Sequence, residues 1–254
     1  MILAWAGAIT VGLSLGLLGS GGSILTVPIL IYVVGQSDKV AIAGSLAIVG
    51  GIALFGAVNY ARQGLVSLRF VLLFGIPGIA GTYAGALASS RVSGAVQLVV
   101  FALVMGLASY SMLKPAAGEP GHTPDSQSVL ILVASGAGVG VITGFVGVGG
   151  GFLLVPALAI LGGLVMHRAV GTSLAIIVLN SASGFYKHLD LLKTAHAAID
   201  WHIIGLFLVL GVAGNFAGSL VARRIHHAHL RRLFGWFLVA MCLYILSRSV
   251  PQVI

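Results

Sequence analysis

The feature that most constrains this chain is a succession of long apolar runs that almost no charge interrupts. They fall near 2–18, 24–35, 40–60, 68–89 and 94–113, then near 128–146, 152–164, 168–188, 199–222 and 229–249. Only 7% of the residues are charged and the mean hydropathy is +1.13, whereas a soluble domain carries roughly 25% charged residues. Such a chain cannot clothe a water-facing surface, so lipid must be most of its solvent. Runs of about 20 apolar residues suit membrane-spanning helices, while barrel strands would be alternating segments of about 10. The expected class is an all-α integral membrane protein. The opening MILAWAGAITVGLSLGLL lacks a basic n-region and a small-residue cleavage site, and it reads as a first helix rather than a signal peptide.

One polar break divides the runs. KPAAGEPGHTPDSQ, Lys114–Gln127, holds three prolines and two of the five acidic residues, the composition of a solvated linker. It separates a first transmembrane unit, 1–113, from a second, 128–254.

The two units repeat one another. GLLGSGGSILTVP, Gly16–Pro28, returns as GFVGVGGGFLLVP, Gly144–Pro156, 128 residues later (144 − 16). GSLAI at Gly44–Ile48 answers TSLAI at Thr172–Ile176 at the same shift, and GIAGTYAG at Gly78–Gly85 answers GVAGNFAG at Gly211–Gly218 at a shift of 133 (211 − 78). Five extra residues have therefore entered the second unit around HLDLLKTAH. Small-xxx-small pairs keep register too: Gly12/Gly16 with Gly140/Gly144, and Gly81/Gly85 with Gly214/Gly218. In lipid this spacing lets helix backbones approach closely. Internal repeats are a common plan among transporters.

The segment 24–35 is about 18 Å of helix, too short for ~30 Å of hydrocarbon. It is expected to turn back on the preceding helix as a re-entrant hairpin with the glycines at its tip. Each unit then crosses an odd number of times, which inverts the second relative to the first. On that topology Arg62, Arg69, Lys114, Arg168, Arg223, Arg224, Arg231 and Arg232 share one side; Lys39, Arg91, Lys187, Lys193 and Arg248 share the other. That excess leans, by the positive-inside rule, toward inverted repeats with both termini outside the cytoplasm. The expected fold is two inverted repeats, each a broken-helix hairpin plus three transmembrane helices.

Non-helical backbone at membrane depth must face protein or a wet cavity. A glycine turn exposes N–H groups, and the helix that follows aims its N-terminal dipole at the same point, an arrangement suited to an anion. The candidate binding residues are Gly19, Ser20, Gly21, Gly22 and Ser23 in the first turn and Gly147, Gly149, Gly150 and Gly151 in the second. A pseudo-two-fold axis would bring the two tips together near the midplane. Close helix packing is the competing explanation of the glycines. Pro28 and Pro156, inside the following helices, each remove a hydrogen bond and bend the chain. Ser45, Thr172 and Ser173 are the candidate supporting contacts. Asn59, Thr82, Tyr83, Asn180 and Asn215 add interior polarity that suits an oxyanion or bonds between helices. The spans hold almost no carboxylate, whereas cation carriers usually bury one, so the expected substrate is a small anion.

Other signals are weaker. RRIHHAHLRR, Arg223–Arg232, fits a basic loop at anionic headgroups, and the charge of +8 needs no nucleic acid to explain it. YKHLDLLKTAHAAIDWH, Tyr186–His202, is expected to be a solvated interfacial loop, with histidine gating or proton coupling as the alternative. HExxH, a Walker lysine motif and the rhomboid GxSG pattern are all missing, so an enzyme is not expected. Cys242, alone in the sequence, forms no internal disulfide, and nothing points to a metal or cofactor. The expected partners are the bilayer and the small anion; a homodimer is compatible with such a chain.

The doubled GLLGSGGSILTVP and GFVGVGGGFLLVP, each followed by a (G/T)SLAI helix, resemble the sulfite exporter TauE/SafE family of membrane transporters. NYARQGLV after the first such helix, KHL and IDWH after the second, and the late GxxGxxxG pairs carry the resemblance across all but the linker. It implies transport of sulfite or a sulfur-containing organic anion such as sulfoacetate, by alternating access at the paired breaks, in the inner (plasma) membrane. An anion channel with a continuous pore through the same site is the alternative.

Overall fold

The computed structural model describes residues 2–18, 22–113, 129–148, 150–160, 162–194, 197–222 and 227–249. Through them run α1 Ile2–Leu18, α2 Gly22–Pro28 (prolonged by a π-helical turn, Ile29–Val33), α3 Asp38–Arg62, α4 Leu68–Ser89 and α5 Gly94–Leu113. Then follow α6 Val129–Val146, α7 Gly151–Ile160, α8 Met166–Thr194, α9 Trp201–Ala222 and α10 His227–Ser249. The linker Lys114–Gln127 lies outside the described residues. Helices satisfy every backbone group locally, the condition lipid imposes. By length and apolarity α3, α4, α6, α8 and α9 can each cross a membrane, and the protein is a multi-pass membrane protein.

Neither α1–α5 nor α6–α10 closes on itself. α1 packs along α9, α4 along α6, α3 along α8, and α5 along α10. A side chain on Gly12 would strike the carbonyl of Gly211, and one on Gly16 the carbonyl of Asn215. Their repeat equivalents, Gly140 and Gly144, lie against the carbonyls of Gly78 and Thr82. Likewise Gly214 abuts Ile9 and Leu13, while Gly81 abuts Ala137 and Val141. Both pairs therefore run parallel, backbone against backbone, with glycine on both sides. Lipid supplies no hydrophobic drive between helices, so this close van der Waals contact is what holds the pairs.

The inner helices follow the same rule of exchange. Gly56 meets Leu174 and Gly184 meets Leu46; the two contacts interchange under the 128-residue shift, and α3 and α8 run antiparallel. On the α4·α8 seam Gly75 meets Leu179, Gly78 meets Asn180, and Gly184 meets Thr82. On the α3·α9 seam Gly51 meets Leu208, Gly211 meets Ile52, and Gly56 meets Asn215. These are equivalent positions throughout. The shifts of 128 and 133 residues thus describe a spatial exchange as well as a sequence likeness.

One expectation fails at the end of α8. Tyr186–Thr194 is helix rather than interfacial loop. α8 starts at the repeat equivalent of the first residue of α3 but continues one turn further, Leu191–Thr194. Most of the inserted residues are absorbed there because extending a helix leaves no new backbone group unpaired. The Lys187–Asp190 pair at 2.8 Å, one turn apart, and Lys193 in the last turn favour the extension.

Candidate functional site

The glycine-rich segments do form hairpins. Gly22, the first residue of α2, lies beside Val11 and Leu15 of α1, so the chain turns straight back on itself after Leu18. From Gly22 to Val33 the return arm is about 18 Å of helix, and α7 is shorter still, about 15 Å. Neither can cross the hydrocarbon. The π-helical turn begins directly after Pro28, where the ring removes one N–H from the ladder and the next bonds widen.

At the second tip two glycines hold positive φ, Gly147 at 76° and Gly150 at 66°. A side chain on Gly147 would run into the Ile42 side chain, and one on Gly150 into Thr143. The N–H of Gly147 donates to the Thr143 carbonyl at 2.8 Å. The tip is therefore seated against protein, and the backbone faces of these two glycines are covered, where an open approach was expected.

Three side chains from three helices take the carbonyls that α6 leaves unpaired at its C-terminus. His188 on α8 donates from Nε2 to the Gly144 carbonyl at 2.9 Å; since a carbonyl only accepts, that nitrogen carries the proton. Gln97 on α5 donates its amide to the Phe145 carbonyl. Ser45 on α3 donates to the Gly147 carbonyl. Behind Gln97, Lys39 donates to its Oε1 at 2.6 Å, to the Ser89 carbonyl at 2.7 Å and to the Val92 carbonyl at 2.8 Å. All three ammonium hydrogens are thereby taken, and Lys39 clamps the α4–α5 corner to the tip.

The other expected site residues are distributed unevenly. Gly19, Ser20, Gly21 and Gly149 lie outside the described residues, while Gly22, Ser23 and Gly151 are buried at the starts of the return arms. Thr172 anchors a loop: its hydroxyl accepts the Ser67 N–H at 3.0 Å. Ser173 is buried and donates to the Val170 carbonyl at 2.8 Å. The register of α3 on α8 sets Ser173 level with the C-terminal part of α3, about 18 Å along the helix from Ser45.

Sequence reasoning missed Lys39, Gln97 and His188 as a set. The available signal was polarity in lipid: a glutamine alone in an apolar run and a histidine inside a span imply a partner. His188 is 2% exposed. What could not be read was that all three converge on one helix end.

The fold and this site define a polytopic helical membrane protein built on two broken-helix hairpins, a plan met in secondary transporters. The sulfite exporter TauE/SafE family model matches residues 4–245. The chain belongs to that family. It is 34% identical over 247 residues to a probable membrane transporter protein of Xylella fastidiosa strain 9a5c, covering 94% of this chain and 92% of that relative. The probable membrane transporter protein YunE of Bacillus subtilis is 29% identical over 236 residues, covering 83% of this chain and 82% of its own length. No solved structure matches significantly. The protein is a membrane transporter of this family.

Proposed function

We propose that the protein carries a small anion, sulfite or a sulfur-containing organic anion, across the inner (plasma) membrane by alternating access between two inverted repeats. The observation that carries this is the antiparallel contact of α3 with its own repeat equivalent α8. Repeats related by an axis in the membrane plane set equivalent helices antiparallel, whereas an axis along the normal sets them parallel. The same contact favours Arg168 sharing a side with Arg62 and Arg69. The hairpins then enter from opposite sides, and each tip sits on the far side of the midplane. Rocking one repeat against the other would open each end in turn, freeing the amides of Gly149–Gly151 and of Gly19–Ser23 to meet the anion, with Ser45 and Ser173 exchanging their present carbonyl partners for it. The buried polar side chains of the described spans include no carboxylate, which favours an anion over a metal cation.

Uptake of sulfite, sulfate, thiosulfate and sulfoacetate into proteoliposomes tests this. Saturable flux with counter-exchange is expected; single-channel currents, or no flux of any of the four, would overturn it. Topology is checked on a Cys242→Ala background by placing single cysteines near Met1 and in Arg223–Arg232. Labelling of both from the same side defeats the inverted arrangement.

A further inference from the structure

Polar bonding is incomplete where α8 packs against α3 and α4. Leu46–Gly184 and Gly56–Leu174 fix the α3·α8 register, and Gly50 facing Ser181 lies midway between them. Ser181 is 1% exposed, Asn180 0% and Thr82 on α4 0%. The Ser181 hydroxyl, the Thr82 hydroxyl and both polar atoms of the Asn180 amide have no hydrogen-bond partner among the described residues. Asn180 lies against Gly78, and one turn along the same seam the Thr82 methyl lies against Gly184; Ser181, next to Asn180 in the chain, faces α3. An unpaired buried amide or hydroxyl is a sizeable penalty, and native proteins retain few.

The repeat shows that the fold does not require polar groups at the places of Asn180 and Ser181. The positions equivalent to Asn180 and Ser181 are Ile52 and Ala53, which pack the other half with apolar side chains. Polarity here has been added to a scaffold that closes without it. The amide offers two N–H donors and the hydroxyls one O–H each, a neutral donor set suited to an oxyanion. Along α8 the first charge-bearing side chains beyond Asn180 and Ser181 are Lys187 and His188, both bases. A bare cation would find no carboxylate to neutralise it among the buried polar residues.

We propose that Asn180, Ser181 and Thr82 form a resting site of the transported oxyanion, midway along the contact of α3 with α8. This rests on the transport reading above and adds to it the place where the anion is held.

The test uses full-length protein in proteoliposomes with sulfite as the probe, comparing Asn180→Leu, Ser181→Ala and Thr82→Val with wild type. Groups that await a ligand behave differently from groups that hold helices together. Without sulfite, each variant should melt at or above the wild-type temperature, because an unpaired polar atom has been removed. Half-saturating sulfite should rise about tenfold for Asn180→Leu and about threefold for each hydroxyl deletion. Sulfite-induced thermal stabilisation should shrink in the same order. Unchanged half-saturation in folded variants overturns the site. A lower melting temperature in all three without sulfite would assign them to packing and overturn it too. Should Asn180→Leu not fold, the smaller Ser181→Ala decides by the same readings. Wild type that carries none of the four anions sinks the transport reading itself; wild type that carries sulfite with unaffected variants sinks only the central site.

Discussion

The α4·α8 and α3·α9 seams occupy equivalent places in the two repeats and share a register, yet their chemistry differs. In α3·α9 the Asn215 amide donates to the Ile52 carbonyl at 3.4 Å, and apolar Ile52 fills the space against Gly211. In α4·α8 the equivalent of Asn215 is Thr82, whose shorter side chain reaches no partner, and the equivalent of Ile52 is Asn180, equally unpaired. The contrast teaches that the repeat conserves backbone spacing and not side-chain bonding. Glycine placement sets how closely helices approach, and the bonding on top of it is free to diverge. One seam closes dry; the other keeps unmet donors at the centre of the molecule.

The largest expected effect tests whether the halves are equivalent at the level of backbone. Gly144→Val would drive a side chain into the Thr82 carbonyl, and Gly12→Val one into that of Gly211. Each should remove about 4–5 kcal/mol or abolish folded protein, since the obstacle is backbone and cannot rotate aside. Melting temperature and monodispersity in detergent give the comparison. One tolerated variant beside one unfolded one would break the exchange.

Next comes the hairpin tip, where conformation and contact can be separated. Gly150→Ala meets both a positive φ and the Thr143 side chain. Adding Thr143→Ala should relieve the contact while leaving about 1–2 kcal/mol of left-handed strain. Full recovery in the double variant would mean the positive φ at Gly150 is not needed.

Smaller, and aimed at the seams themselves, is the contrast between Asn215→Leu and Asn180→Leu. The first breaks a bond made in the structure and should lower stability by about 1 kcal/mol. The second breaks none and should not. Equal losses in thermal unfolding would erase the difference between the seams.

The smallest effect belongs to Ser183, at the exposed margin of α4·α8, which donates to the Ile79 carbonyl at 3.1 Å. Ser183→Ala should lower stability by about 0.6 kcal/mol, an average interhelical bond in a membrane protein. A loss several times larger would mean that the seam is held at its margin rather than by its glycines.

Several parts of the fold were legible because lipid enforces simple rules. Apolar length located the helices, and the doubled glycine pattern marked both hairpins and the close-packing faces, but not which helix each face would meet. The candidate site was legible only in part. Ser45 was singled out, and it does reach the second tip, but Thr172 proved to hold a loop. His188 lay in a stretch taken for an interfacial loop. Local composition could not distinguish a polar loop from a helix prolonged by one turn, because Lys187, Asp190 and Lys193 suit either.

The sequence by itself determined that this chain spans a membrane as helices, that it repeats, and where its backbone must break. Those follow from local quantities: apolar length, glycine spacing and the proline ring. Only the tertiary structure decided that α3 meets α8 antiparallel and that Lys39, Gln97 and His188 converge on the end of α6. It alone left Asn180, Ser181 and Thr82 unpaired at the centre. A hydrogen bond is settled by the distance between residues remote in sequence, and a periodic pattern carries no record of that distance.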